Sequence, residues 1–299
     1  MNWHIPAKTF LVGEYAAIAG GAAIILTTSP CFQLTLTDYA EQTIHPESPA
    51  GLWLSQSNIT QAIDWHDPYQ GIGGLGASSA QFIGVYLADC ENQGIEPDCD
   101  SLLTAYYQNA WQGRGLKPSG YDVLAQTQHG CVYINRQKNL MQNFDWPFAD
   151  LGFLLLHSGH KLATHHHLQA INPDYPVERL SAISEQAKLA FETANSNLLV
   201  QAVNDYQHEL ARSGLTAHHT LEIVKQMKGA DNVSAIKGCG AMGADVLLLL
   251  VPQTALLNKI NALQNDGWKV LASSHNLHTQ PPLIKKYRKK YLNFSTDKL

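Results

Sequence analysis

Apolar positions along the chain follow two periods. Runs of β-prone residues at 9–12, 23–28 and 32–37, with Gly20-Gly21 as a hairpin-type turn, predict an N-terminal sheet. Helical spacing takes over at 80–90 (Phe82, Ile83, Val85, Tyr86, Leu87) and again at 102–111, the first helix opening directly out of a glycine-rich loop. Residues 123–125 and 131–134 read as strands, and 151–157 as a buried strand. The stretch 177–227 is helical, broken near 195–197 and at Ser213-Gly214. Strands at 234–237 and 246–251 flank a second glycine block, followed by a helix over 254–263 and a strand over 268–272. The segment Asn143-Phe144-Asp145-Trp146-Pro147 interrupts the periodicity, so the expected division is 1–148 and 149–299. There is no internal repeat, and His165-His166-His167 is the one low-complexity segment.

Composition narrows the class. With 299 residues, 45% of them hydrophobic, the chain buries a large core. A formal charge of −5 with only 15% charged residues gives no global attraction to nucleic acid or an anionic membrane, so an anionic substrate must be met by local cations. The basic run Lys285-Lys286-Tyr287-Arg288-Lys289-Lys290 reads as a solvated terminal segment rather than a binding patch. Five scattered cysteines without a CxxC pair fit free thiols in a reducing compartment. No basic-then-apolar leader opens the chain and no apolar run spans a bilayer, so a soluble, cytoplasmic protein is expected.

The chemistry concentrates in three blocks. Gly71-Ile72-Gly73-Gly74-Leu75-Gly76-Ala77-Ser78-Ser79-Ala80 precedes a helix; Lys117-Pro118-Ser119-Gly120-Tyr121-Asp122 carries an acid after a Ser-Gly turn; Gly238-Cys239-Gly240-Ala241-Met242-Gly243-Ala244-Asp245 is the second glycine block. Both glycine blocks match the dinucleotide fingerprint letter for letter, yet the first follows a loop and the second leads into a strand, so neither has the strand–turn–helix context that fingerprint needs. There is no GxxxxGK[ST] P-loop. What remains is a glycine loop whose backbone amides approach phosphate oxygens closely, backed by a helix N-terminus, with Ser78 and Ser79 as hydroxyls for phosphate or Mg²⁺. Taken singly, each block also reads as an ordinary turn, Lys8 as a strand-end lysine and Asp122 as a turn carboxylate.

In this order the blocks resemble the GHMP kinases, the superfamily of galacto-, homoserine, mevalonate and phosphomevalonate kinases. The N-terminal motif appears as Pro6-Ala7-Lys8-Thr9-Phe10-Leu11-Val12-Gly13-Glu14-Tyr15-Ala16, the ATP loop as Gly74-Leu75-Gly76-Ala77-Ser78-Ser79-Ala80, and the C-terminal glycine motif spans 237–245. The mevalonate-pathway branch is the most similar. Gln112-Gly113, the Ser119-Gly120-Tyr121-Asp122-Val123 turn and Asp245 look more like phosphomevalonate kinase, and Trp111 stands where mevalonate kinases carry a magnesium-binding glutamate. The chain departs from the pattern at Ala77, where serine is usual, at Met242 among the glycines, and in lacking a proline ahead of the ATP loop.

The resemblance implies an α+β, two-lobed fold, with an N-terminal ribosomal-protein-like domain containing a left-handed crossover and a C-terminal ferredoxin-like domain. It implies an ATP-dependent kinase acting on phosphomevalonate; mevalonate, another small alcohol such as a sugar or homoserine, and a catalytically weak nucleotide- or metabolite-binding regulator stay open. Asp122 would act as the base, Lys8 would neutralise the transferring phosphoryl group, and residues 74–80 would hold ATP with Ser78 toward Mg²⁺. Lys8, Glu14, Lys117, Ser119, Gly120, Lys161, Gly240 and Ala241 are the expected acceptor contacts, with Arg114, His160 and His165 as further cations. The partner is a small molecule, not nucleic acid or membrane, and a homodimer stays open.

Overall fold

The first apolar runs form a hairpin longer than the pattern predicts. In the computed structural model, which describes residues 1–39, 43–111, 113, 115–160 and 175–285, β1 (Asn2–Val12) pairs antiparallel with β2 (Ala23–Thr37). The expected strands 23–28 and 32–37 are one element, continuous through a cis Ser29–Pro30 peptide. The far edge of β2 is divided in two. Residues 23–26 pair with β4 (Cys131–Asn135), and residues 33–37 pair with β3 (Ala62–His66). β5 (Leu140–Phe144) pairs with β4 and closes this antiparallel sheet. The Gly20-Gly21 turn is entered through a 3₁₀ turn, Ala16–Ala19, with Gly20 in the left-handed region at φ +79°.

Four helices cover this sheet's surroundings. α1 (Pro49–Gln56) starts at Ser48, whose hydroxyl accepts from the Gly51 amide at 3.1 Å, and α3 (Cys99–Ala110) is capped by Asp98. α2 (Ala77–Asn92) emerges from the glycine loop and packs on β1 and β2. α4 (Tyr121–Gln126) takes in residues 123–125, expected as a strand. Val123, Leu124 and Ala125 are all buried, and three consecutive apolar residues carry no period that separates a short buried helix from a strand.

The second sheet is antiparallel throughout, in the order β7 (Ala235–Cys239), β8 (Val246–Pro252), β6 (Leu151–His157), β9 (Val270–Ser273). Both of its faces are buried, which is why Leu247 to Val251 reads as an unbroken apolar run. Phe153, Leu155, Leu248 and Leu250 join the main core, which is continuous with the first sheet and takes in α5 (Val177–Thr193) and α6 (Ser196–Arg212). Leu154, Leu156, Leu247 and Leu249 point the other way, onto α7 (His218–Met227) and α8 (Leu256–Asn265). After β9 the chain returns to the first sheet: the His278 amide donates to Thr27 O (2.9 Å), its carbonyl accepts from Gly130 N (2.8 Å), and Ile284 is buried.

Candidate active site

The first glycine block is built from its neighbours outward. Asp67 accepts from the Tyr69 and Gly71 amides, both at 2.8 Å, and turns the chain out of β3. β3 lies antiparallel to β2, so a strand does precede the loop but no parallel βαβ unit exists for a dinucleotide fingerprint. Gly74 (φ +81°) and Gly76 (φ +85°) are left-handed, and Gly76 is the N-cap of α2 with no side chain capping the first turn, which therefore presents its amides outward. A Cβ on Gly76 would lie 2.8 Å from Lys8 Cγ and 2.9 Å from the Gln126 amide nitrogen. Ser78 is exposed at the start of α2. Ser79 turns inward instead: its buried hydroxyl lies 3.0 Å from Gly76 O and also bonds Gln126 Oε1, so it shapes the loop rather than facing a ligand.

Lys8 and Asp122 are linked to this loop from two sides. The Lys8 amide donates to Leu75 O (2.9 Å), and its ammonium lies 5.3 Å from the Phe10 ring centre. Asp122 stands in the first turn of α4, one helical turn ahead of Gln126, and is partly exposed. Gln126 Nε2 donates to Pro6 O (2.7 Å) and to Gly76 O (3.1 Å). A single side chain thus fastens the helix of Asp122 to both the strand of Lys8 and the ATP-loop candidate.

The second glycine block meets the first through Asp245. Its Cβ lies 2.7 Å from where a Gly74 Cβ would be, and its Oδ2 lies 2.7 Å from the corresponding point on Gly240. Both glycines leave room for this buried carboxylate. Beneath the block, the fully buried Lys237 donates to Glu14 Oε1 and to Gly238 O (3.0 Å). Burial opposes the Lys237 charge, yet Cys239 and Glu14 outweigh it and hold the ammonium above the ordinary lysine range. Glu14, expected near the acceptor, is thus half of a buried ion pair joining the two lobes, its Oε2 also buried with no partner among the described residues. Cys239, its thiol pushed up to about 11 by burial, donates to Phe10 O (3.3 Å), and the Met242 amide donates to the Tyr15 hydroxyl (3.1 Å). Ala241 is buried within the turn.

Among the residues expected to contact the acceptor, Lys117 lies 3.8 Å from the Tyr107 ring centre and 5.7 Å from that of Trp111. Partial desolvation and the charge of Arg136 lower the Lys117 pKa. Ser119 accepts through its carbonyl from Tyr107 (2.8 Å) and Arg136 (2.7 Å), and Gly120 (φ +71°) is the N-cap of α4. His160 stacks on His219 with ring centres 3.9 Å apart, beside the Ser158 hydroxyl that donates to Ala244 O. Lys161, Arg114 and His165 lie outside the described residues. Arg136, Gln126 and Lys237 tie these segments together, and residue type alone did not single them out. Lys237 stood inside a recognised motif, whereas Arg136 and Gln126 left no sequence signal.

No family model matches the chain, and no curated protein matches it. Solved structures do. The mevalonate kinase of Methanococcus jannaschii superposes with a TM-score of 0.68 at 15% identity, over 93% of this chain and 98% of that one. Streptococcus pneumoniae phosphomevalonate kinase, in complex with phosphomevalonate and AMPPNP, gives 0.70 at 15% identity over 91% and 99%. Lactococcus lactis galactokinase complexed with galactose gives 0.66 at 10% identity over 94% and 93%. The expected α+β class is what the structure has, built on two antiparallel sheets, and the chain carries the two-lobed fold of the GHMP kinases.

Proposed function

We propose that this protein is an ATP-dependent small-molecule kinase that transfers the γ-phosphoryl group of ATP to phosphomevalonate. The observation that carries this reading is the Gln126 bridge, which sets Lys8, the Gly74–Ala80 loop and the helix of Asp122 around one point. The loop suits polyphosphate: Gly76 has no space for a side chain, and the first turn of α2 behind it is uncapped. A phosphomevalonate kinase of this fold binds AMPPNP and phosphomevalonate, which supports the same pair of ligands here.

In the reaction an acceptor oxygen forms a bond to the γ-phosphorus while the bond from that phosphorus to the β–γ bridging oxygen breaks, releasing ADP. Asp122 takes or orients the proton of the attacking oxygen, and Lys8 offsets negative charge on the group in transit. Lys117 and Arg136, gathered near the start of α4, favour an acceptor that is itself anionic. Mg²⁺ would supply positive charge to the phosphates. The exposed Ser78 hydroxyl at the start of α2 would be this chain's ligand to it.

The test is ADP release with Mg·ATP against mevalonate, phosphomevalonate, galactose and homoserine, with Asp122→Asn as the blank. Turnover is expected with phosphomevalonate, and Asp122→Asn is expected to lower it roughly 10²- to 10⁴-fold without changing nucleotide affinity. Turnover confined to mevalonate, galactose or homoserine would replace the acceptor assignment. ATP binding without turnover on any of the four would favour a regulator.

A further inference from the structure

The start of α4 is held by a clamp that neither glycine block supplies. Arg136, just after β4, donates from one guanidinium nitrogen to the Tyr107 phenol oxygen (2.6 Å) and to Ser119 O (2.7 Å), while Tyr107 donates its own proton to the same carbonyl (2.8 Å). The Arg136 backbone amide donates to the Tyr121 hydroxyl (3.0 Å), which in turn donates to Gly21 O (2.9 Å). Ser119 and Tyr121 are therefore gripped on either side of Gly120. That glycine is closed in as well, since a Cβ there would lie 2.3 Å from Leu103 Cδ1 and 3.0 Å from the Tyr107 oxygen. The next residue along the helix is Asp122, which leaves the start of α4 little freedom to swing.

The clamp also carries charge. The Tyr107 phenol is pushed up to about 12 by burial, with Arg136 opposing the shift and Asp122 adding to it, so both charges reach the same phenol. Tyr106, partly buried beside it, is raised well above the ordinary tyrosine value by burial and again by Asp122. The charged and titratable groups that the surrounding elements bring toward this turn are Tyr106 and Tyr107 on α3, Lys117 ahead of the turn, and Arg136.

We propose that Arg136 is a positioning residue for the proton-accepting step: through Ser119 O, Tyr107 and Tyr121 it fixes the start of α4, and with it the direction of the Asp122 carboxylate. The proposal rests on the reading of Asp122 as the base, and it adds a residue to that machinery that the three sequence blocks do not contain. Lysine in its place keeps the charge but loses the planar fork.

The decisive measurement is amide hydrogen exchange over the first turn of α4, read at the Leu124 amide that closes it on Gly120 O (3.0 Å), in the wild type, Arg136→Met and Arg136→Lys. Without the guanidinium fork that turn is expected to exchange about 10-fold faster or more in both variants, while amides of the second sheet keep their wild-type rates. With an active wild type, kcat should fall about 10- to 100-fold in both variants from misplacement, with KM for Mg·ATP unchanged. Tyr107→Phe, which removes one link and leaves Arg136 on Ser119 O, should give a smaller loss of the same kind. Exchange at Leu124 unchanged in Arg136→Met overturns the proposal, and Arg136→Lys, which also loses the fork, decides it if the methionine variant does not fold. A wild type inactive on every acceptor would sink the kinase reading, while the exchange rates still decide whether Arg136 holds the start of α4.

Discussion

The two segments that spell Gly-x-Gly-x-x-Gly, 71–76 and 238–243, differ in the elements they lead into and in the groups packed beneath them. The first opens into a 16-residue helix whose initial turn has no side-chain cap, and Ser78 beside it is exposed. The second sits over a buried Lys237–Glu14 pair, is tied to β1 by Cys239 and to Tyr15 through Met242, and runs straight into β8. Identical letters therefore serve a surface with amides to offer in one place and a joint between lobes in the other. Glycine permits a backbone path; the neighbours decide whether the path is left for a ligand or filled by protein.

The joint is where the largest change in stability is expected. Replacing Lys237 by alanine leaves the Glu14 carboxylate buried alone, and removing one member of such a pair costs about 3–5 kcal/mol. Urea unfolding measures this, and a Lys237→Met, Glu14→Leu double variant should recover most of the loss because an apolar pair needs no counter-charge. The sign of the pH dependence is set by Lys237, whose pKa is raised in the folded state. Its contribution is complete below the unfolded lysine value and fades as pH climbs through the folded one, so the difference between wild type and Lys237→Ala should shrink only in strong alkali. A loss under about 1 kcal/mol in the single variant would show that the second loop does not depend on the pair.

The first block separates strain from crowding. At Gly71 (φ +82°) a Cβ meets nothing within 4 Å, whereas at Gly76 (φ +85°) it meets Lys8 and Gln126. Gly71→Ala thus tests backbone strain alone, about 1 kcal/mol, while Gly76→Ala adds displacement of the two side chains that join loop, strand and helix, for a total of roughly 2–3 kcal/mol. Nucleotide affinity by isothermal titration should fall clearly in Gly76→Ala and hardly in Gly71→Ala. Equal losses in both would mean that the ligand reads only the loop's flexibility.

The same contrast explains what was legible in the sequence. Lys8, the 74–80 loop and Asp122 lie in short contiguous motifs whose order could be compared with a family, and strands such as 151–157 and 246–251 declare themselves by unbroken apolar runs. The helix breaks near 195 and at Ser213-Gly214 were equally plain: Asn195 caps α6, and Gly214 is left-handed. Relations between distant residues left no trace. Glu14 and Lys237 are 223 positions apart, and Arg136 finds Ser119 only because the fold brings the end of β4 beside the start of α4. Ser79 could not be told from Ser78 without knowing which way the first turn of α2 faces the core. β3 and β5 escaped notice because both are short and only partly buried, so neither shows a sustained apolar face.

Met242 gives the smallest effect and the finest test of the comparison. It carries a side chain among the glycines of the second block, and it is left-handed at φ +54°, ψ +21°. An L-residue there costs roughly 1–2 kcal/mol, whereas glycine loses about 0.5–1 kcal/mol more through its freer unfolded chain, so Met242→Gly should raise stability by about 0.5 kcal/mol. The backbone bonds that hold the turn, from Ala217 N to Met242 O (2.8 Å) and from Met242 N to Tyr15, do not involve the side chain and should survive. If the second block is a joint, nucleotide affinity stays unchanged while the unfolding midpoint rises. If affinity increases instead, the methionine was occupying space that a ligand uses, and the second block would have to be counted, like the first, as a surface left for phosphate.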